Sequence, residues 1–278
     1  MNEENSDLRI GKINIKKVFY DKNPSLARIL PNFFFNYLKK IVHQDFINGF
    51  NERHGDKIGL DFARAGIKEF NVSSEIIGKE NIPKNKKLII ASNHPLGGFD
   101  ALLLLSNLHE FFPDIKFLVN DILMNLKNLR PLFIPINKHG GQSKQSVIQI
   151  EAAYKSDTQI ITFPSGYVSR RIKGKIQDPP WKKNFIIKAI QHKRDILPVF
   201  VSGRNSNFFY NLSTIRKFLG IKLNLEMLYL VNELQKHRNK HIKIYIGKPI
   251  SYKLFNKTKK PIEWAKHIQD IVYELPKC

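Results

Sequence analysis

The sequence predicts an α/β fold: a single domain with a mostly parallel central sheet flanked by helices, preceded by a helical N-terminal extension. From residue 87 onward, short apolar runs alternate with longer amphipathic segments, a pattern typical of parallel strands covered on both faces. The chain shows no internal repeat and no low-complexity linker, and its 278 residues can form one large domain. We therefore divide it into an N-terminal arm and helical extension, residues 1–80, and an α/β domain, residues 81–278.

Six apolar runs are the predicted strands of this sheet, and each has the length of an average strand. They are residues 87–92, 115–119, 132–136, 159–163, 196–201 and 242–246. Pro135 and Pro198 lie inside two of these runs. Because proline has no N–H to donate to a sheet ladder, we expect those two strands to be edge strands, or bulged or irregular at the proline.

Helical periodicity predicts helices between and after these strands. They lie near residues 100–110, 143–156, 181–192, 212–219, 223–237 and 261–275. Residues 1–24 read as a loosely structured arm. Residues 30–47 have near-helical apolar spacing, with three phenylalanines followed one turn later by Lys39 and Lys40. Such a helix is typical of a membrane interface, although an ordinary core-facing helix has the same spacing.

The charge of the chain predicts a polyanionic partner. Lysine and arginine total 46 against 24 aspartates and glutamates, a formal net charge of +22. Nucleic acid and an anionic membrane surface are the two common partners of such a protein, and a lysine-rich proteome would also raise the count. No helix-turn-helix, zinc-finger or ribonucleoprotein pattern is present, so nucleic-acid binding without catalysis is kept only as the alternative function.

The ends of the chain and its apolar runs bear on location. The first residues, MNEENSDLRIGK, are polar and predict no secretory signal. No run approaches the roughly 20 apolar residues of a spanning helix. The single cysteine, Cys278, allows no disulfide framework. If this protein meets a membrane, we expect it to lie on the membrane surface.

The stretch ASNHPLGGFD, residues 91–100, follows the first predicted strand of the α/β domain and leads into a helix. Ligands of α/β sheets bind at the carboxyl ends of strands, so His94 is placed where a base can meet a substrate. Asp100 is the nearby carboxylate that could orient the imidazole, and Gly97 and Gly98 would let the backbone fold back to bring the two together. The alternative is a loop histidine beside a helix-capping aspartate.

Two further strand-end loops carry cations. PSGYVSRRIKGK follows the strand at 159–163 and contains Arg170 and Arg171, and NKHGGQSK follows the strand at 132–136 and contains Lys138. Glycine-rich turns and helix N-termini bind anions. One loop with a base and two with cations predict a hydroxyl nucleophile on an anionic substrate. Ser165 is not expected to be a nucleophile because the Gly-x-Ser-x-Gly elbow is absent, and no metal site is expected.

The segments ASNHPLGGFD, LFIPINK, ITFPSG and DILPVFV, in this order, resemble the four blocks of the glycerolipid (lysophosphatidic acid) acyltransferase superfamily, particularly its bacterial branch. This family transfers a fatty acyl group from an acyl-carrier-protein or coenzyme A thioester to a lysolipid hydroxyl in membrane lipid biosynthesis. The resemblance implies His94 as general base and Asp100 as its partner, with no acyl-enzyme and no cofactor beyond the acyl co-substrate.

The resemblance also implies the substrate contacts, with Asn93 beside the base. They are Asn93, Lys138, Phe163, Pro164, Ser165, Gly166, Arg170 and Arg171. The implied partners are an anionic membrane surface, the acyl thioester and a lysolipid acceptor, with no nucleic acid.

Three departures from the family pattern affect the expected acceptor. Five residues, 95–99, separate His94 from Asp100 where the family usually has four. Lys138 and Ser165 replace the usual arginine and glutamate, and the arginine expected two residues after the glycine is Val168. Since those family positions contact the phosphate of the acceptor, another lysolipid, such as an N-acylated amino acid with a 3-hydroxyl group, becomes an alternative to lysophosphatidic acid.

Overall fold

The structure is a computed structural model that describes residues 12–22, 24–84, 86–136 and 144–277. Its strands are β1 (Ser73–Ile77), β2 (Leu88–Ser92), β3 (Ile115–Asn120), β4 (Phe133–Ile136), β5 (Gln159–Thr162), β6 (Arg170–Ile172), β7 (Lys175–Gln177), β8 (Asp195–Val201) and β9 (His241–Ile246). Seven of them form one sheet in the order β1-β9-β8-β2-β5-β3-β4, and β6 and β7 form a separate hairpin. All neighbours in the large sheet are parallel except β8 and β9. The predicted α/β fold with a mostly parallel sheet is confirmed.

Helices lie before the sheet and between its strands. They are α1 (Ile15–Lys22), α2 (Pro24–Ile29), α3 (Asn32–Ile41), α4 (Gln44–His54), α5 (Leu60–Glu69), α6 (Gly98–Leu108), α7 (Lys144–Lys155), α8 (Asn184–His192), α9 (Asn207–Phe218), α10 (Leu230–Gln235) and α11 (Pro261–Glu274). The segment predicted as one helix at 223–237 is a 3₁₀ turn, Leu225–Tyr229, followed by the short α10. Helix α9 begins earlier than predicted because the Ser206 side chain accepts a hydrogen bond from the N–H of Phe209 and caps it.

The core lies on both faces of the sheet, as the unbroken apolar runs require. In β2, Leu88 and Ile90 belong to the cluster on one face, which includes residues of α5 and α6. Ile89 and Ala91 belong to the cluster on the other face, which includes residues of α7, α8 and α11. The strand that precedes the His94 loop is therefore buried from both sides and holds the start of that loop in place.

All six predicted strands are present, and three further strands are not among the predictions. Strand β1, SSEII, begins with three polar residues, has no fully buried residue and pairs with β9 at the edge of the sheet. The sheet therefore begins at residue 73, within the range assigned to the N-terminal extension. The β6–β7 hairpin lies in the segment predicted as a cationic loop, and its two turn residues, Lys173 and Gly174, both have positive φ, as in a tight hairpin turn.

The predictions for the two prolines inside strands have different outcomes. Strand β4, with Pro135, is an edge strand as predicted. Strand β8, with Pro198, lies between β9 and β2, so its placement at an edge was wrong. The prediction of irregularity is correct, since Gly247 donates to the carbonyl of Pro198 whereas Ile196 pairs with Ile250, which leaves one extra residue in the partner segment opposite Leu197, next to the proline.

The N-terminal segment is more ordered than predicted. Residues 15–22, expected to belong to a loose arm, form α1. The main chain of Ile13 exchanges hydrogen bonds of 2.8 and 2.9 Å with the Asn48 side chain, and Phe19 packs edge-on against Phe34 and Phe35. These long-range contacts tie α1 to α3 and α4. The first 11 residues of the predicted arm lie outside the described residues.

Across the described ranges, no helix has both the length and the apolar character that crossing a bilayer requires.

Candidate active site

The loop after β2 brings His94 and Asp100 into contact. Nδ1 of His94 lies 3.0 Å from Oδ2 of Asp100, and the N–H of Leu96 donates to the same oxygen at 2.9 Å. Asp100 is fully buried, whereas 17% of the His94 side chain is exposed. An imidazole that donates from Nδ1 to a carboxylate keeps Nε2 as its basic nitrogen. The pair therefore has the arrangement of a base and its orienting partner.

The unusual five-residue spacing between the two residues is closed by one glycine. Gly97 has φ +75° and precedes the first residue of α6, while Asp100 lies in the first turn of that helix. Positive φ favours glycine because it has no Cβ. Gly98 is the first residue of α6, and a Cβ placed there would have no neighbour within 4 Å. Of the predicted glycine pair, only Gly97 is needed for the turn.

Burial affects the ionisation of the orienting carboxylate. It raises the pKa of Asp100, and the hydrogen bonds from His94 and Leu96 lower it in part. The second oxygen, Oδ1, has no hydrogen-bond partner among the residues that the structure describes. Loss of either donor would therefore leave a buried carboxylate with less compensation.

Phe163 sets the plane of the imidazole. Its ring stacks on His94 with the ring centroids 4.1 Å apart and the planes inclined by 20°. Phe163 directly follows β5, so the neighbouring strands β2 and β5 bring the base and its aromatic support together. The predicted residue Phe163 thus meets the base itself, whatever further contact it makes with a substrate.

A second buried carboxylate, Asp178, holds the main chain of His94. Its Oδ1 accepts from the N–H of His94 at 3.2 Å and from the Ser169 hydroxyl at 2.6 Å, and its Oδ2 accepts from the Trp181 indole at 3.0 Å. The N–H of Ser169 donates to the carbonyl of His94 at 2.8 Å. Burial raises the pKa of Asp178. Asp178 follows β7, in the sequence QDPPW, where it is an isolated acid beside many cations; this was the only local signal that could have identified it.

Asn93 and Asn205 fasten the same loop through their amides. The Asn93 side chain donates to the carbonyl of Val201 at 3.0 Å and accepts from its N–H at 2.7 Å. The Asn93 side chain is buried, and its amide nitrogen and amide oxygen both bond to the main chain of β8. Asn205 donates to the carbonyl of Pro95 at 3.1 Å. The predicted substrate contact Asn93 therefore lies behind the loop, and Asn205 was not predicted from the sequence.

The segment after Phe163 forms a compact turn. The Ser165 hydroxyl donates to the carbonyl of Tyr167 at 2.6 Å and accepts from its N–H at 3.1 Å. Gly166 has φ +67° and donates to the carbonyl of Phe163 at 2.9 Å. Pro164 and Ser165 are buried, whereas Gly166 is exposed. Ser165 thus shapes the turn beside the imidazole, as an ST-type turn does.

The two predicted arginines occupy different environments. Arg170 is buried, and its guanidinium donates to Glu226 at 3.0 Å and to the carbonyl of Val168 at 2.7 Å. Arg216 also donates to Glu226, at 2.7 and 2.9 Å. Arg171 is only partly buried and donates to two asparagines of α9, Asn207 and Asn211. The predicted substrate contact Arg170 is thus enclosed in an Arg–Glu–Arg cluster.

Lys138, the remaining predicted cation, lies outside the described residues. A surface cavity of about 1160 Å³ is lined by residues of α4, of α5 and of the turn between them, and contains none of the predicted site residues.

The imidazole at a strand end and the buried carboxylate beside it have the arrangement expected of an enzyme site with a general base. The acyltransferase family model matches residues 17–273. The chain therefore belongs to the acyltransferase family, within the glycerolipid acyltransferase superfamily, and is an O-acyltransferase.

Two relatives cover nearly the full chain. One, named lyso-glycine lipid O-acyltransferase, from Bacteroides thetaiotaomicron, is 48% identical over 264 residues, which are 95% of this chain and 97% of the relative. Another with the same name, from Phocaeicola vulgatus, is 46% identical and covers 97% of each chain. Among solved structures, the 1-acyl-sn-glycerophosphate acyltransferase PlsC of Thermotoga maritima aligns with 99% of this chain and 97% of its own, at 19% identity and a TM-score of 0.48.

Proposed function

We propose that this acyltransferase moves a fatty acyl group from an acyl thioester to the hydroxyl of a lyso-glycine lipid. The observation that carries the proposal is the contact between His94 and the buried Asp100 at the end of a central strand. The names of the two relatives support a lysolipid acceptor. A glycine lipid carries a carboxylate where lysophosphatidic acid carries a phosphate, which fits the departures at Lys138 and Ser165.

The proposed reaction is a direct transfer. The acceptor hydroxyl attacks the thioester carbonyl while Nε2 of His94 takes its proton, so an ester C–O bond forms and the C–S bond breaks. The proton then passes from the imidazolium to the departing thiolate. Asp100 stabilises the imidazolium and holds the ring in the productive tautomer. The step uses no cofactor beyond the acyl donor, either acyl carrier protein or coenzyme A, and no metal.

Arg171 is the better of the two arginines to meet an anionic acceptor. Arg170 is buried and its guanidinium already donates to Glu226 and to the carbonyl of Val168, so it would have to give up these hydrogen bonds to meet a substrate. Arg171 is more accessible and is held only by neutral asparagine oxygens. We expect Arg171→Ala to raise the KM for the acceptor with a smaller effect on kcat.

The proposal assigns the basic surface to an anionic membrane rather than to nucleic acid. In α3, Phe33 and Tyr37 are exposed, and Lys39 and Lys40 follow in its last turn. Phe35, Leu38 and Ile41 of the same helix are buried, so α3 packs on the protein with one side and presents aromatic residues on the other. We place the enzyme on the cytoplasmic face of the inner membrane as a peripheral protein.

The test replaces the base and its partner. We expect His94→Ala to lower kcat by at least about 10³-fold and Asp100→Asn by about 10²-fold, without unfolding the protein. Transfer is measured with lyso-glycine lipid and with lysophosphatidic acid, each with acyl carrier protein and coenzyme A donors. Normal turnover by His94→Ala would refute the mechanism, and preference for lysophosphatidic acid would refute the acceptor. Lipid profiling of cells that lack the chain identifies the lyso species that accumulates.

A further inference from the structure

Exposed apolar side chains concentrate in one segment of the chain, residues 215–228, which we name the apolar lobe. It comprises the end of α9, the turn after it and the 3₁₀ turn Leu225–Tyr229 as far as residue 228. Its exposed apolar residues are Ile215, Phe218, Leu219, Ile221, Leu223, Met227 and Leu228. Phe218 is 89% exposed and Leu223 69%. Contiguous exposed apolar surface of this kind marks an interaction site.

The lobe has a defined, hydrogen-bonded conformation. Helix α9 ends in a Schellman motif, in which Gly220 has φ +68° and donates to the carbonyl of Lys217 at 3.1 Å, while Ile221 donates to the carbonyl of Arg216 at 3.0 Å. Below the exposed tip, Glu226 binds both Arg216 and Arg170 out of contact with solvent. The exposed apolar side chains are therefore held outward by the fold.

The charges around the lobe indicate the kind of partner that it binds. Residues 196–225 contain no aspartate or glutamate but include Arg204, Arg216, Lys217 and Lys222. Lys217 and Lys222 are exposed beside Phe218 and Leu223. The one acid of the lobe, Glu226, is buried. Exposed apolar side chains flanked by lysines match an anionic bilayer, in which the apolar groups enter the acyl boundary and the cations meet the headgroups.

The lobe is also continuous with the proposed membrane face of α3. The hydroxyls of Tyr37 and Tyr229 are hydrogen-bonded to each other, and Tyr229 packs against Phe208 with the ring centroids 4.9 Å apart. Phe33, one turn before Tyr37, is 75% exposed. Two elements far apart in sequence thus meet along one side of the molecule.

We propose that the apolar lobe is a second membrane-insertion element, which enters anionic bilayers beside α3. This surface goes beyond the proposed acyl transfer and rests on it only for the choice of a lipid partner. The lobe lies close to the base: a Cβ built on Gly97 would lie 3.4 Å from Leu230, just after the lobe, and Arg170 joins Glu226 to the segment whose Ser169 binds the main chain of His94. Insertion of the lobe therefore brings the His94 loop to the bilayer surface.

The first experiment measures vesicle binding. The full chain is floated with vesicles of phosphatidylglycerol and phosphatidylethanolamine, and with phosphatidylcholine alone. We expect the double variant Phe218→Ser with Leu223→Ser to bind the anionic vesicles at least about tenfold more weakly than the parent protein. Ile148→Ser with Leu254→Ser is the matched control, because those side chains are comparably exposed on α7 and on the 3₁₀ turn Tyr252–Leu254, and it should bind as the parent does.

A second experiment places a probe in the lobe. Phe218→Trp should shift its emission to the blue when anionic vesicles are added and should be quenched by brominated acyl chains. The proposal would be overturned if the double variant bound vesicles as the parent does. It would also be overturned if the Trp emission did not change when anionic vesicles are added. Self-association of the parent that the double variant abolishes, without any effect on vesicle binding, would assign the lobe to a second copy and would also overturn it.

These measurements are independent of the acyl transfer. They use no acyl donor, and His94→Ala should bind vesicles as the parent does. In detergent micelles the double variant should keep the acyl-transfer rate of the parent. If the double variant loses vesicle binding but keeps its activity in micelles, the result supports membrane insertion by the lobe, whatever the acceptor is. If the parent binds vesicles normally but transfers no acyl group, only the proposed function is refuted.

Discussion

At the residue scale, one oxygen of Asp178 accepts both the main-chain N–H of His94 and the hydroxyl of Ser169, and its other oxygen accepts the indole of Trp181. The N–H of Asp178 itself donates to the Tyr273 hydroxyl at 2.7 Å. Asp100 orients the imidazole, while Asp178 fixes the backbone from which that imidazole extends. We therefore expect Asp178 to be a positioning residue for the proposed base.

We expect Asp178→Asn to lower kcat about tenfold or more, with little change in KM, because it perturbs the position of His94 without touching a substrate. It should also cost about 1–3 kcal/mol of unfolding free energy, since an amide cannot accept all three hydrogen bonds. Steady-state kinetics and urea denaturation measure the two effects. Ser169→Ala, which removes one of the donors to Asp178, should have a smaller effect on both. A variant that is less stable but has the kcat of the parent would reduce Asp178 to a structural role.

The pH dependence of stability gives an independent readout for Asp178. Burial holds its pKa above the usual 3.8, so the folded protein binds the proton more tightly than the unfolded chain does. The contribution of Asp178 to stability therefore falls as pH rises through the window that begins near 3.8 and ends at the raised pKa. Asp178→Asn removes this titration. The stability difference between parent and variant should narrow as pH rises through the window, and a difference that widens would contradict the burial effect.

At the scale of elements, the turn between β2 and α6 decides whether a base and a carboxylate six positions apart can meet. Gly97 supplies the positive φ, and a Cβ there would lie 3.4 to 3.5 Å from Leu230 and Val168. Gly98, next to it, has ordinary helical geometry and open space around it. The two glycines form a matched pair for testing the turn.

We expect Gly97→Ala to destabilise the protein by about 1–2 kcal/mol and to lower kcat, because the strained turn displaces Asp100 from His94. Gly98→Ala should be neutral or slightly stabilising, since alanine favours the helix. Thermal unfolding and acyl-transfer rates of the two variants provide the comparison. Equal effects of both substitutions would show that the conformation of Gly97 is not what positions the pair.

At the scale of the whole molecule, Arg194 holds the opposite end of the sheet together. It is completely buried just before β8 and donates to five main-chain carbonyls, those of Leu88, Ala153, Tyr154, Ser156 and Thr158. These carbonyls belong to β2, to α7 and to the turn before β5. One guanidinium thus joins three parts of the chain at the amino ends of the strands, away from the catalytic loop.

We expect Arg194→Lys to cost about 2–5 kcal/mol of unfolding free energy, because an ammonium has three donors and lacks the planar fork that reaches five carbonyls. Urea denaturation measures the loss. Lys193→Arg is the control, since the neighbouring side chain is exposed, and its unfolding midpoint should match that of the parent. The Arg194→Lys protein that remains folded should have the kcat of the parent. A parent-like midpoint for this variant would show that the five hydrogen bonds contribute little.

Much of the fold and part of the site could be predicted because their signals are local. Six apolar runs gave six strands, and ASNHPLGGFD placed a base and a carboxylate on either side of a glycine turn. Strand β1 was missed because SSEII begins with three polar residues and has only two apolar ones, and none of its residues is fully buried at the sheet edge. The roles of Asn93 and Arg170 were not predictable, since Val201 and Glu226 lie 108 and 56 residues further along the chain.

By itself, the sequence determined the α/β class, the strand that carries the site and the choice of His94 and Asp100 as candidates, because hydrophobic periodicity and turn chemistry act over a few residues. Whether these two side chains meet across five intervening residues was left open by the sequence and is shown by the structure. Only the tertiary structure decided the strand order, the use of Asp178 behind the base and the convergence of α3 with the apolar lobe. Each of these depends on groups that are distant in sequence and close in space. No local sequence pattern shows which distant donor a buried carboxylate will meet, because the packing of the whole sheet determines that contact.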